Sequence, residues 1–324
     1  MVGRAGYLAT WIIFAALIAF PLITSNNYYL QMATTMATLS ILALGYNMLF
    51  GLTGQISVGH AAFYAVGAYV SVLLEIKLGV PFVLSIIIGM AAAGLLALAV
   101  GYPLLRLRGH YLALGTLGFG MIVFVVLMQW QDVTGGPSGL PVPRSAIFGH
   151  VLDWRDFYYI AMSLAVLTFI GCQHIIHSYI GRAFASVRED EEAAQTLGIR
   201  VVYYKIISFV FSAVLAGLAG GIYPRANSYI TPELFDVNMS IKLLIVVVIG
   251  GVGSNWGVVL GVLLLTILPQ VLTLFQEYEL LLFGLITFLV VVLLPKGLVS
   301  VLVQLAFLFG PGKVRQLAKD DELS

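Results

Sequence analysis

Between two long apolar stretches the chain carries GRAFASVREDEEAAQTLG, residues 181–198. Arg182 opens it, Arg188, Glu189, Asp190, Glu191 and Glu192 follow as an unbroken charged run, and Ala193, Ala194 and Gly198 close it. A charge held at the centre of a bilayer costs roughly 2.5–3.5 kcal/mol on the insertion scale, so this segment belongs in water on one face. Read as one helix, it puts Phe184, Val187, Glu191 and Ala194 on one face and Arg188, Glu192 and Gln195 beside them. Ala193 and Ala194 make a flat patch, and Gly198 suits a C′ cap. The chemistry on offer is recognition: a short ionic amphipathic helix for the groove of a partner. The plain alternative is a solvated connecting helix.

A second cluster mixes glycine with hydrogen-bonding side chains. Gly51, Gly54 and Gly59 bracket Thr53, Gln55 and Ser57, with His60 just beyond. Unwound backbone at membrane depth is tolerated only inside protein or along a wet cavity, and such breaks mark transport routes. Thr53, Gln55, Ser57 and His60 are therefore expected on a translocation pathway, against the alternative of a tight turn that only packs. Gly250, Gly251, Gly253 and Gly257 around Ser254, Asn255 and Trp256 read equally as a break or a turn. Gly217, Gly220 and Gly221 read as helix packing. The loop 129–157, dense in Gly and Pro, reads as a shaped external connection.

Catalytic patterns are missing. Gly312-Lys313 lacks the earlier glycine and the Ser/Thr of a phosphate loop. His60, His110, His150, His174 and His177 never form H-E-x-x-H, and the single Cys172 excludes an internal disulfide. Acidic residues avoid mid-membrane positions, which counts against a proton- or sodium-coupled carrier. An integral membrane enzyme would have only Asp132, Asp153, Arg155 and Asp156 to work with.

These groups must be positioned by membrane helices. Of 324 residues, 60% are hydrophobic and 10% charged, against about 25% charged in soluble domains. The formal net charge of +1 offers no field for nucleic acid. The expectation is an all-α polytopic integral membrane protein of about ten spans, with eight to ten as the range. They cover 8–23, 30–50, 56–74, 82–105, 111–130, 157–176, 203–223, 239–251, 257–275 and 280–294. The eighth is short enough to be broken or tilted, and the second and third could form one span plus a re-entrant segment. Arg4 before an apolar run imitates a signal peptide, but Pro21 to Asn27 is the wrong chemistry for cleavage, so the run reads as an uncleaved first span. Alternation puts eleven of the 16 basic residues on the side of the charged segment and five on the other. By the positive-inside rule that segment and both termini are cytoplasmic. One transmembrane domain, 1–300, holds the charged helix at 181–199, and 301–324 is a cytoplasmic tail.

Glu192-Ala193-Ala194 with Gly198 resembles the E-A-A-x-x-x-G core of the coupling loop in ATP-binding-cassette (ABC) importer permeases, departing where the longer consensus continues to Ile-x-Leu-Pro. GYNMLFGLTGQISVGHAAFYAVGAY (45–69), LRGHYLALGTLGFG (107–120), TGGPSGL (134–140), VIGGVGSNWGVVLG (248–261) and LLPKGL (293–298) resemble, in order, the permeases of high-affinity branched-chain amino acid importers. Length and the hydrophobic start look more like the M-type than the shorter H-type permease. The resemblance implies a subunit without catalysis and without a bound cofactor. ATP and Mg would sit on two partner ATPases, beside a related second permease and an extracytoplasmic binding protein, in a bacterial inner membrane. It also implies that Arg182, Arg188, Glu189, Asp190, Glu191, Glu192, Ala193, Ala194 and Gly198 contact the ATPase. Substrates would be Leu, Ile and Val, or other amino acids, urea or short amides in related branches.

Overall fold

The computed structural model describes residues 26–272 apart from 108, 144, 148 and 149, with a few isolated positions outside that range. The first expected span, the tenth and the 301–324 tail lie, isolated positions aside, outside the described residues. The described residues are mostly helical. Helix α1 (Asn27–Tyr46) runs on into a π-helical turn, Asn47–Gly51. Then come α2 (Ala61–Leu78), α3 (Phe82–Leu104), α4 (His110–Gln129) and α5 (Trp154–His177). Two short helices, α6 (Tyr179–Glu189) and α7 (Glu191–Thr196), precede α8 (Val201–Asn227), α9 (Val237–Gly250) and α10 (Asn255–Leu272). Among the described residues, six helices are long and apolar enough to cross a membrane: α1 with its π turn, α2, α3, α4, α5 and α8. The chain is a multi-pass membrane protein. Ten spans are not reached among the described residues, and α9, at 14 residues, is about 21 Å long, short of the hydrocarbon core.

Helix α8 is the centre, packed on α1, α2 and α3. Small residues allow it. A Cβ on Gly67 would lie 2.4 Å from the Gly217 Cα, and one on Gly220 would lie 2.2 Å from the Tyr64 carbonyl oxygen. Backbones of α2 and α8 therefore touch, which gains dispersion contact where lipid supplies no hydrophobic drive. The outward faces of α3, α4 and α5 stay apolar and exposed, as Leu95, Ile122 and Leu167 illustrate.

At the end opposite the charged segment, Arg225 of α8 is fully buried. Its Nε and Nη2 donate to Glu75 Oε2 of α2 at 2.9 and 2.6 Å, and Nη2 also reaches Ser85 Oγ of α3 at 3.0 Å. Three helix ends are pinned by one guanidinium whose charge is both paired and hydrogen-bonded. Nearby, β1 (Leu140–Pro141) pairs antiparallel with β4 (Tyr229–Ile230), so the loop after α4 is stitched to the α8–α9 link, and β2 (Ala146–Ile147) pairs with β3 (His150–Val151). Gly139 is tied to this contact: it has φ 66°, and a Cβ there would meet the Ile230 carbonyl at 2.2 Å.

Candidate functional site

The charged segment is two helices, not one. Asp190 leaves the helix at φ −157°, ψ 113°, and its Oδ1 accepts from the Glu192 and Ala193 amides at 2.8 and 3.1 Å. It is the N-cap of α7, with Glu191 and Glu192 in the positive first turn. Ser178 caps α6 in the same way through the Ile180 and Gly181 amides. At the far end Gly198 adopts φ 82° and the Ile199 amide reaches back to the Ala194 carbonyl at 3.1 Å, a Schellman closure. Phe184, Val187 and Ala194 are buried, so the face expected to be apolar packs into the chain itself. Ala194 is thus no part of an outward patch; Ala193 is exposed, as are Arg182, Glu189, Glu192 and Gln195.

The glycine cluster after α1 forms a true break. Following the π turn, Gly54 takes φ 70°, the chain runs without helix to a turn at 58–60, and α2 begins only at Ala61. The third span accordingly starts five residues later than hydropathy suggests. Residues 53–60 lie along α8 from Lys205 to Ser212, about 11 Å of helix. Gln55 Nε2 lies 2.7 Å from Thr53 Oγ1, 2.8 Å from Ser208 Oγ and 3.3 Å from the Lys205 carbonyl. Both hydroxyls give their protons to backbone carbonyls, Thr53 to Leu49 and Ser208 to Lys205, so both turn lone pairs toward the amide. His60 Nε2 sits 3.0 Å from Ser212 Oγ. Backbone amides freed by the unwinding find side chains: Val58 reaches Thr116 Oγ1 at 3.0 Å and Ala61 reaches Ser240 Oγ at 2.9 Å. This polar seam is enclosed by protein, the condition under which non-helical backbone survives at membrane depth.

The seam and the charged segment meet. Arg188 of α6 donates to the Gly51 carbonyl at the end of the π turn. A Cβ on Gly54 would lie 3.3 Å from Arg188 Cγ. Glu191 of α7 pairs with Lys205 of α8, whose side chain is only 5% exposed. The α9–α10 turn joins from the other side: the Gly253 amide donates to Asn47 Oδ1 at 3.0 Å, and Asn47 Nδ2 to Asn255 Oδ1 at 3.1 Å. Both glycine clusters thus converge at the base of the charged segment. A cleft of about 340 Å³ lies there, lined by Gly51, Leu52, Ala185, Arg188 and Glu189.

Among the described residues, the charged segment, the α1 break and the α9–α10 turn are thus joined by hydrogen bonds and one ion pair. Residues 28–291 match the family profile described as "Branched-chain amino acid transport system / permease component". The chain belongs to this permease family. The permease is 33% identical over 306 residues to the high-affinity branched-chain amino acid transport system permease protein LivM of Escherichia coli strain K12, covering 87% of this chain and 72% of that protein. It is 34% identical over 309 residues to the LivM protein of Salmonella typhimurium, with the same coverage. The LivH permease protein of Escherichia coli is 26% identical over 301 residues, 84% of this chain and 96% of LivH. No solved structure matches the permease.

Family membership makes the chain a membrane component of a transport system and not an enzyme, with ATP hydrolysis left to other subunits. Likeness to both LivM and LivH indicates a system with two permeases and further components. Thr53, Gln55 and His60 are brought onto α8 and Ser57 against Tyr46 of α1, but all four are buried and none lines the neighbouring cleft. Spacing alone does not single out their partners Ser208, Ser212 and Lys205, nor Thr116 and Asn47, which hold the Val58 amide and the α9–α10 turn. A signal was present: polar residues four apart inside an apolar helix, as Ser208 and Ser212 are, lie on one face and can hydrogen-bond a neighbouring segment.

Proposed function

We propose that this chain is the M-type permease subunit of an ATP-driven importer of leucine, isoleucine and valine in a bacterial cytoplasmic membrane. It pairs with a related H-type permease, rests on two cytoplasmic ATPases and receives substrate from an extracytoplasmic binding protein. Both termini and the α6–α7 segment face the cytoplasm. Arg182, Glu189, Glu192, Ala193 and Gln195 meet the ATPase, while Asp190 and Gly198 shape the segment as caps. ATP-driven closure of the ATPases moves α6–α7, and the spans switch access from inside to outside. Thr53, Gln55, Ser57 and His60 reach the translocation route when the seam parts from α8. In support, Gln55 Oε1, Ser57 Oγ and His60 Nδ1 are buried with no hydrogen-bond partner among the described residues, ready to take a polar solute.

The observation that carries the reading is the amphipathic α6–α7 pair, locked by its inner face onto the α1 break and presenting acidic residues outward, in a chain of this family. The test is uptake by the complete complex in proteoliposomes with its binding protein. ATP-dependent accumulation of labelled leucine, competed by isoleucine and valine and not by urea, is expected. Leucine uptake that ignores ATP, or ATP-driven uptake of urea instead, overturns it.

A further inference from the structure

We propose that Arg188 and Glu191 work inside the permease, as two tethers that transmit motion of the α6–α7 segment to the polar seam, and not as contacts with the ATPase. This rests on the coupling role proposed for the segment. Arg188 sits in the last turn of α6, yet its guanidinium crosses to α1 and donates to the Gly51 carbonyl. Helix ends leave carbonyls without intrahelical partners, and a cation is well suited to take one up. A Cβ on Gly253 would lie 3.6 Å from the same guanidinium, so Arg188 stands between the α1 break and the α9–α10 turn.

Glu191 opens α7 and pairs with the Lys205 ammonium. The carbonyl of that same Lys205 accepts from Ser208 Oγ at 3.0 Å and lies 3.3 Å from Gln55 Nε2. One residue therefore holds α7 on one side and the seam on the other. Between the tethers, Asp190 is committed to capping α7, which sets the angle between the two short helices. Beside the packing of Phe184, Val187 and Ala194, a push on α6–α7 has a polar route to α1 through Arg188, itself exposed at its outer side, and to α8 through Glu191. Both are positioning residues: they act through backbone and Lys205, never on substrate.

The experiment uses the reconstituted complex and scores membrane abundance, co-purified ATPase, ATP hydrolysis and leucine uptake together. Glu191→Lys and Lys205→Glu alone, and Arg188→Gln, should keep the ATPases bound, hold hydrolysis within about twofold and lower uptake per ATP at least tenfold. The double exchange Glu191→Lys with Lys205→Glu should restore uptake to within about threefold, and Arg188→Lys should keep part of it. Loss of the ATPases with Glu191→Lys, or a double exchange no better than the singles, overturns the tethers alone. Wild-type uptake that ignores ATP overturns the coupling role and the tethers with it. A second measurement avoids substitution at the tethers. With Cys172 replaced, spin labels at Leu52 and Gln195 should keep one separation through the ATP cycle; a shift beyond about 5 Å contradicts tethering.

Discussion

Gln55 is held by two hydroxyls whose protons are already committed, so a change there leaves acceptors stranded. Leucine in its place would bury the lone pairs of Thr53 and Ser208 without a donor, at a cost of about 1–3 kcal/mol. Gln55→Leu should therefore lower leucine uptake several-fold while the ATPases still co-purify. Gly54→Val should be worse. Its φ of 70° is one that β-branched residues rarely adopt, and the new side chain would press on Arg188, 3.3 Å from the Cβ position. Uptake near wild type for Gln55→Leu, measured at equal membrane abundance, would show that the seam only packs.

Among the elements, long uniform apolar runs were the most legible part of the sequence. The span expected at 82–105 is the helix Phe82–Leu104, and that at 111–130 is His110–Gln129, because no charge interrupts either apolar run and Pro103 falls only in the last turn of the first. Where the chain breaks, hydropathy misleads. Residues 56–60 are apolar enough to extend the third span, yet they are unwound, with the Val58 amide and that of Ala61 at the start of α2 taken up by Thr116 and Ser240 from far away in sequence. The charged segment was legible as helical and amphipathic, but 3.6-residue spacing carried straight through Asp190. The clue overlooked was an Asp followed by two acids, the pattern of a helix start. Glu75 with Arg225, 150 positions apart, and Glu191 with Lys205 could not be read in advance, because only the packing of α2, α7 and α8 brings them together.

For the whole molecule, α8 with α1 and α2 forms the inner layer, and the sides of α3, α4 and α5 are left to lipid or to a second permease. The α4–α5 loop and the α6–α7 segment lie at opposite ends of α5, so orientation can be read from two positions. With Cys172 replaced, a cysteine at Ser138 should label from outside with an impermeant reagent and one at Gln195 should not. Force from ATP is proposed to enter through α6–α7. Glu192, exposed in the first turn of α7, is the position to reverse. The deciding measurement is the initial rate of ATP-driven leucine uptake for Glu192→Lys in proteoliposomes, at matched permease content and with bound ATPase quantified. A charge reversal facing a complementary groove should cut the rate at least tenfold in a permease that still inserts. A wild-type rate with a full complement of ATPase would contradict the claim.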